Sequence, residues 1–440
     1  RGYARGVTVA GTVPGRDVVP ARPIRAAASS VRSGAVDLPL PVPGDEAAWV
    51  GRHLGHLTAD GPRPSARFRG TQAAADAALA SFDVTGYAAR RNEVLPVGRR
   101  GASGLSPWIR HGLLPLPRVW DEVDGPGADV RKFRDELRWQ EYARHVYARL
   151  GTATARPLRF EPATSTPGSD PWDRSMRCVD ACLEELEADG WLVNQTRMWL
   201  ASQWTVRHGA DWRDGEDRFF THLLDGSRAA NRLGWQWTVG AGTGRPYGFS
   251  QWQVRKRAPS LCRSCVHRDA CPIGDWPDEA PLRRLDADDR IRHDPDVAAT
   301  AGPAEPWTDG APELVWLTAE SLGDDDPALA AHPGLPVVFV FDEPLLARLR
   351  LSGKRLVFLA ERLAELGAER TLVVRLGDPV TLLGNRPLAS TFTPVPGWRR
   401  AAARLPIAAV HPWPWLHRPV AGGIGSYSSW VKQVTRRAAR

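Results

Sequence analysis

The stretch "RMWLASQWTVRHGADWRDGE" (197–216), followed almost at once by "RFFTHLLDGSRAANRLGWQWTVGAGTG" (218–244), decides how this chain reads. It is dense in Trp, and it continues "SMRCVDACLEELEADGWLVNQTRMWLASQWTVRH" (175–208), where apolar residues recur at helical spacing. The same spacing appears upstream in "TQAAADAALASF" (71–82) and "DVRKFRDELRWQEYARHVYARL" (129–150). Residues 67–275 are therefore expected to be mainly helical. Residues 1–66, rich in Gly, Pro, Ala and Arg, read as an irregular N-terminal arm. Residues 276–312 are acidic and Pro-rich and read as a linker. From 313 the pattern alternates: "ELVWLTAE" and "PVVFVFD" read as buried strands, "KRLVFLAERLAELGAE" as a helix, "TLVVRLGD" and "IAAVHPW" as further strands. Residues 313–440 thus form a parallel α/β unit ending in a basic tail. The fold class is all-α followed by a Rossmann-like α/β domain.

Composition narrows the function. With 440 residues, 42% hydrophobic and 25% charged, the chain is globular, and its length suits about three domains. Five cysteines exclude a disulfide scaffold. No apolar run approaches the ~18 residues of a membrane span, and no signal peptide shows at the Arg-, Gly- and Pro-rich start. A cytoplasmic monomer is the expectation. The net charge is +8, carried almost wholly by Arg, and no acidic residue follows Asp378. Guanidinium groups suit bidentate phosphate contacts. The asymmetry points to a polyanion partner, with a solvated basic face as the alternative.

Two clusters carry chemistry. Cys262-x2-Cys265-x5-Cys271-Pro272 places three thiols in one loop, which points to a metal site. Cys178 and Cys182, four apart on one helix face, could each supply a fourth ligand. Zinc with His267 is possible; a cubane iron–sulfur cluster is the preferred reading. The second cluster, "GASGLSPWIRHGLL" (101–114), sets small residues and hydroxyls before an apolar helical run, the arrangement of an anion site at a helix start.

In chain order, "GLSPW", "DELRWQEY", "GWLVNQTRM", "DWRDGE", "DGSRAAN" and "WQWTVGAGTG" resemble the motifs of the photolyase/cryptochrome family, over roughly 68–256. The later stretches 314–342 and 354–379 resemble that family's α/β antenna domain, which normally comes first; the chain therefore looks circularly permuted.

The resemblance implies bound FAD, light-driven one-electron transfer to a cyclobutane pyrimidine dimer, and UV-damaged DNA as partner, with the lesion flipped out of the duplex. Matched by motif, Tyr87, Ser103, Leu105 and Ser106 would line the pyrophosphate, and Asn194 and Arg197 would hold the flavin. Asp225 would contact its isoalloxazine or ribityl region, and Asn231 would face N5. Glu136, Trp139 and Met198 would meet the dimer. Trp235 would be the flavin-proximal electron relay and Trp212 the middle one, with Trp172 a candidate at the surface and Trp237 packed nearby. Val193, where a (6-4) enzyme carries His, argues for cyclobutane dimers. A bacterial branch with a 4Fe-4S cluster favours Cys178 with Cys262, Cys265 and Cys271. The chain departs from the family at Ala102, Gly104, Gln140 and Ser227, and the antenna motif is missing, so no antenna pigment is assigned. A cryptochrome-like photoreceptor and a flavin-free nucleic-acid-binding protein are the rivals.

Overall fold

The computed structural model describes residues 36–277 and 281–438. Nine strands are described: β1 (Val36–Leu38), β2 (Phe160–Pro162), β3 (Leu282–Arg284), β4 (Trp307–Thr308), β5 (Leu314–Leu317), β6 (Val337–Asp342), β7 (Leu372–Gly377), β8 (Leu388–Thr391) and β9 (Ile407–His411). The helices that position the site are α1 (Glu46–Leu54), α2 (Gly127–Leu150), α3 (Arg177–Asp189), α4 (Asn194–Ser202), α5 (Trp212–His222), α6 (Ala230–Thr238), α7 (Gln251–Arg257), α8 (Gly353–Glu369) and α9 (Tyr427–Ala438).

β5, β6 and β8 are runs of consecutive buried residues. Strands covered on both faces read this way in parallel sheets. The seven-stranded sheet has the order β1-β7-β6-β5-β8-β9-β4. Its five inner strands are parallel, and β1 and β4 close the edges antiparallel to β7 and β9. β2 and β3 pair separately.

Three expectations change. The segment expected as an irregular arm contains, in its described part, β1 and α1; residues 1–35 of that reading lie outside the described residues. The segment expected as a linker contains β3, β4 and a short helix Val297–Ala301. The helical and α/β parts also share one core, in which Tyr87, Leu137 and Trp108 join Phe339, Phe358 and Leu363.

α8 explains the shared core. It is buried on nearly every side from Gly353 to Leu366. Glu361 accepts from the Gly70 amide at 2.5 Å and pairs with Arg69, and Glu365 accepts from the Gln72 amide at 2.6 Å. A side chain at Gly70 would sit 1.8 Å from the Phe358 carbonyl oxygen, so glycine permits this approach. Among the described residues no helix is long and apolar enough to cross a membrane.

Candidate functional site

α2 supplies the first wall. Its buried stripe includes Val130, Phe133 and Leu137, which seats the helix on the core. Asp129 accepts from the amides of Gly86 and Ala88 at 2.9 and 2.8 Å. That fixes the turn carrying Tyr87, whose ring meets Phe133 edge-on at 5.2 Å. Burial raises the Tyr87 hydroxyl above its usual range. Farther along, Glu136 is held by Lys132 at 2.9 Å and by Arg91 at 3.1 Å. Trp139 lies three residues on, and its indole is stacked by Tyr427 of α9 at 3.9 Å and 10°. The Tyr427 hydroxyl donates to Asp135, while Trp430 packs into the core beside Tyr142 and His145.

The second wall comes from α4, α6 and the loop after α5. α3 stops at Gly190, which has φ +68°, and the chain turns into α4. Arg197 pairs with Asp225 through two hydrogen bonds, at 3.1 and 2.7 Å. Met198 is half-buried and Asn194 is exposed at the start of α4. Asn231 on α6 is buried, and its amide nitrogen donates to the Glu216 carboxylate at 3.0 Å. Glu216 also pairs with Arg228 and Arg232.

The 101–114 segment closes one end. The Ser106 hydroxyl accepts from the Trp191 indole at 2.9 Å, Leu105 is buried, and Ser103 receives a weak bond from the Leu105 amide at 3.4 Å. Gly104 has φ +72°, with the Arg67 guanidinium close to it. Just beyond, Arg110 donates to the Gly226 carbonyl at 3.1 Å and to Glu320 at 2.9 Å. Arg355 of α8 reaches the same place, donating to the carbonyls of Phe220 and Gly226, and burial lowers its guanidinium to about 9.

These groups form one charged cluster. Arg110, Arg144, Arg197, Arg228, Arg232 and Arg355 face Glu141, Glu216, Asp225 and Glu320. Tyr147 lies among them. Asp217 also pairs with Arg228, so six guanidiniums meet five carboxylates and one positive charge is left in excess. The sign of that excess suits a phosphate-bearing group such as a flavin dinucleotide. The sequence reading missed Arg110, Arg144, Arg228, Arg232, Arg355, Glu216 and Glu320. Arg228 and Arg232 flank Asn231 and were visible there; Arg355 and Glu320 come from the distant α/β part.

Behind α6 lies a Trp-rich core. Trp235 meets Phe219 edge-on at 5.1 Å. Trp212 is fully buried with the Arg213 guanidinium 4.8 Å over its ring. Trp172 is buried, and Trp237 is 40% exposed, tilted against Tyr247.

The cysteines converge. Cys178, Cys262, Cys265 and Cys271 line one small cavity, partly open to solvent, together with Met176 and His267. Cys182 is buried a turn further along α3, outside that lining. Burial and then the other three thiols push Cys178 up to about 12. His267 is hydrogen-bonded to Ser175 at 2.8 Å. Among the described residues no group of three or more His, Cys, Asp or Glu is arranged to hold a metal ion.

Residues 133–258 match the family model described as the FAD binding domain of DNA photolyase. This part of the chain is similar to the DNA photolyases. It is 32% identical over 222 residues to the deoxyribodipyrimidine photo-lyase of Thermus thermophilus, an overlap of 47% of this chain and 44% of that protein. It is 30% identical over 159 residues to the Synechococcus sp. protein of the same name, covering 32% of this chain and 33% of that one. The chain therefore spans less than half the length of these photolyase relatives. A cryptochrome structure from Synechocystis sp. PCC6803 aligns with TM-score 0.40 and 23% identity, over 47% of this chain and 48% of that one. Within the photolyase match lie Glu136, Trp139, Arg197, Met198, Asp225, Asn231 and Trp235, while Tyr87 and Ser103 to Ser106 lie before it.

Proposed function

We propose that the protein is a light-driven flavoenzyme that splits cyclobutane pyrimidine dimers in UV-damaged DNA. The observation that carries this reading is the photolyase-type FAD-binding match over 133–258 coinciding with the charged cluster around Asn231. When bound, FAD supplies light absorption and a one-electron transfer. The chain's own residues do the rest. The guanidiniums of Arg110, Arg228 and Arg232 would hold the diphosphate, with Ser103 and Ser106 beside it. The Arg197–Asp225 pair fixes part of the cluster. Asn231, oriented by Glu216, would present its uncharged amide to the flavin ring. Glu136 would hydrogen-bond the pyrimidine edge, and Trp139 would stack on the lesion, a contact worth about 1–3 kcal/mol per base. The α/β part would be the family's antenna domain moved by circular permutation to follow the flavin domain.

Cys178, Cys262, Cys265 and Cys271 would hold a 4Fe-4S cluster. A single zinc requires four ligands at about 2–2.3 Å, whereas a cubane accepts thiolates farther apart. What supports the cluster is that the four thiols share one cavity lining. The cluster's proposed role is to pin α3 to the 262–271 loop.

A second reading has its own support. Tyr427 covers the Trp139 face, which a cryptochrome-like photoreceptor without repair activity would tolerate. A repair assay on dimer-containing DNA under blue light separates the two: restored thymines support the enzyme, and intact dimers with light-dependent flavin reduction support the receptor.

A further inference from the structure

Gly104, in the turn just ahead of Ser106, carries no side chain, and Arg67 takes up the space that one would need. A β-carbon built there would lie 3.2 Å from the Arg67 Nη2, 3.9 Å from its Cζ and 3.7 Å from the Phe68 ring. The φ of +72° is one that glycine adopts freely and other residues rarely do. Arg67 therefore stands where the turn's own side chain would have stood, although it comes from an earlier segment of the chain.

Local structure aims Arg67 at this turn. The Ser65 hydroxyl accepts from the amides of Arg67 at 3.2 Å and Phe68 at 3.1 Å, and it donates to the Asp189 carbonyl at 2.7 Å. The Ala66 amide donates to the Ala188 carbonyl at 3.2 Å, so the segment is tied to the end of α3. The Arg67 guanidinium lies 4.8 Å over the Trp191 ring and 5.0 Å over that of Phe68. The Trp191 indole in turn donates to the Ser106 hydroxyl at 2.9 Å. Arg67, Gly104, Trp191 and Ser106 thus meet in one place. Asp189 and Glu185 are the acidic groups on that side, and Glu185 is engaged by Arg100. The charge of Arg67 rests on two aromatic faces, and its side chain stays exposed. A guanidinium stacked in this way keeps its edge N–H groups available.

We propose that Arg67 is a phosphate-binding residue of the flavin site and makes that site favour a diphosphate-bearing flavin over riboflavin. The proposal rests on the FAD reading above, in which Ser103 and Ser106 lie beside the diphosphate. Arg67 is the guanidinium at the turn that carries them. Its planar edge can place two parallel N–H donors on phosphate oxygens. Stacking on Trp191 orients that plane before the ligand arrives, which lowers the ordering cost of binding. Glycine at 104 then has a physical reason beyond its φ, since a larger residue would push Arg67 aside. A purely structural role for Arg67, as a support for the Trp191 ring, predicts a different pattern of losses.

The test uses the full chain freed of flavin, with dissociation constants for FAD, riboflavin and ADP measured at fixed salt. Arg67→Met keeps the aliphatic packing on Trp191 and removes the guanidinium. It should weaken FAD and ADP by about 10- to 100-fold, the scale of a hydrogen bond to a charged group, and leave riboflavin unchanged. Arg67→Lys keeps the charge without the planar fork. It should weaken FAD by about threefold or more with no change for riboflavin, and it serves if Arg67→Met fails to fold. Equal losses for FAD and riboflavin would make Arg67 a support for Trp191 and overturn the proposal. Parent affinity for FAD in both variants overturns it as well. Either result leaves the flavin reading intact, because the parent still binds FAD. A parent chain that takes up no FAD overturns the flavin reading and the proposal with it.

Discussion

Tyr427 is the strongest obstacle to repair in this structure, and removing it is the sharpest test of how the site works. Its ring covers the Trp139 face at 3.9 Å, and its hydroxyl donates to Asp135. A pyrimidine can stack on that face only if Tyr427 moves. The contact it gives up is an aromatic pair, worth about 0.5–1.5 kcal/mol, and a hydrogen bond to a carboxylate, worth about 1.5–3 kcal/mol. The incoming base regains about 1–3 kcal/mol by stacking. Tyr427→Ala removes the competitor, and Trp430, which is 1% exposed, keeps α9 seated. With both contacts gone, about 2–4.5 kcal/mol together, affinity for dimer-containing duplex should rise about 30- to 2000-fold, while affinity for undamaged duplex stays the same. Fluorescence anisotropy with labelled duplexes at fixed salt reads both, because backbone contacts depend on ionic strength. Adding Trp139→Leu should cancel the gain. If Tyr427→Ala folds normally and binds the dimer no better than the parent, the idea that Trp139 receives a base is refuted.

The remaining predictions concern the cysteines and pH. Cys178→Ser should abolish iron retention and lower the melting temperature, whereas Cys182→Ser should keep the parent's iron content; iron analysis of both purified variants decides. Stability should also fall on acidification. His111 and His145 are buried and lowered to about 3, so the unfolded chain binds more protons from about pH 6.5 downward. The stabilisation they give is full above that pH and is lost toward pH 3. The loss between pH 7 and 5 is about 2 kcal/mol for each histidine. His145 illustrates the cause: its Nδ1 accepts from the Trp430 indole at 3.0 Å and has no room for a proton. Glu141, raised to about 7 by burial, acts with the opposite sign and offsets about 2 kcal/mol over the same interval. His222, lowered to about 4 by burial, adds a further loss of about 2 kcal/mol. Urea unfolding at pH 7 and 5 should therefore show a net loss of about 4 kcal/mol, and equal or higher stability at pH 5 would contradict the assignment.

Much of the site was legible because its residues sit in short motifs on single helices. Glu136 and Trp139 share α2, Asn231 and Trp235 share α6, and Cys178 joins the three loop cysteines around one cavity. What escaped the sequence depends on distant chain segments. Arg355 and Glu320 enter the cluster from the α/β part, and Tyr427 reaches Asp135 across 292 positions. In the fold, the alternation after 313 showed the parallel strands. β1 and β4 span three and two residues, too short for a period-two pattern, so their segments read as irregular. The shared core around α8 was equally invisible, because its polar face, which reads as solvent-exposed, is covered by bonds from Arg355, Glu361, Arg362 and Glu365 to distant segments.

The central claim is that the charged cluster around Asn231 holds FAD, and the absorption spectrum of the purified chain tests it most directly. The account predicts blue-absorbing flavin bands near one equivalent per chain, with the pigment released on denaturation and fluorescing as free FAD. A colourless protein that takes up no flavin from an excess would contradict it.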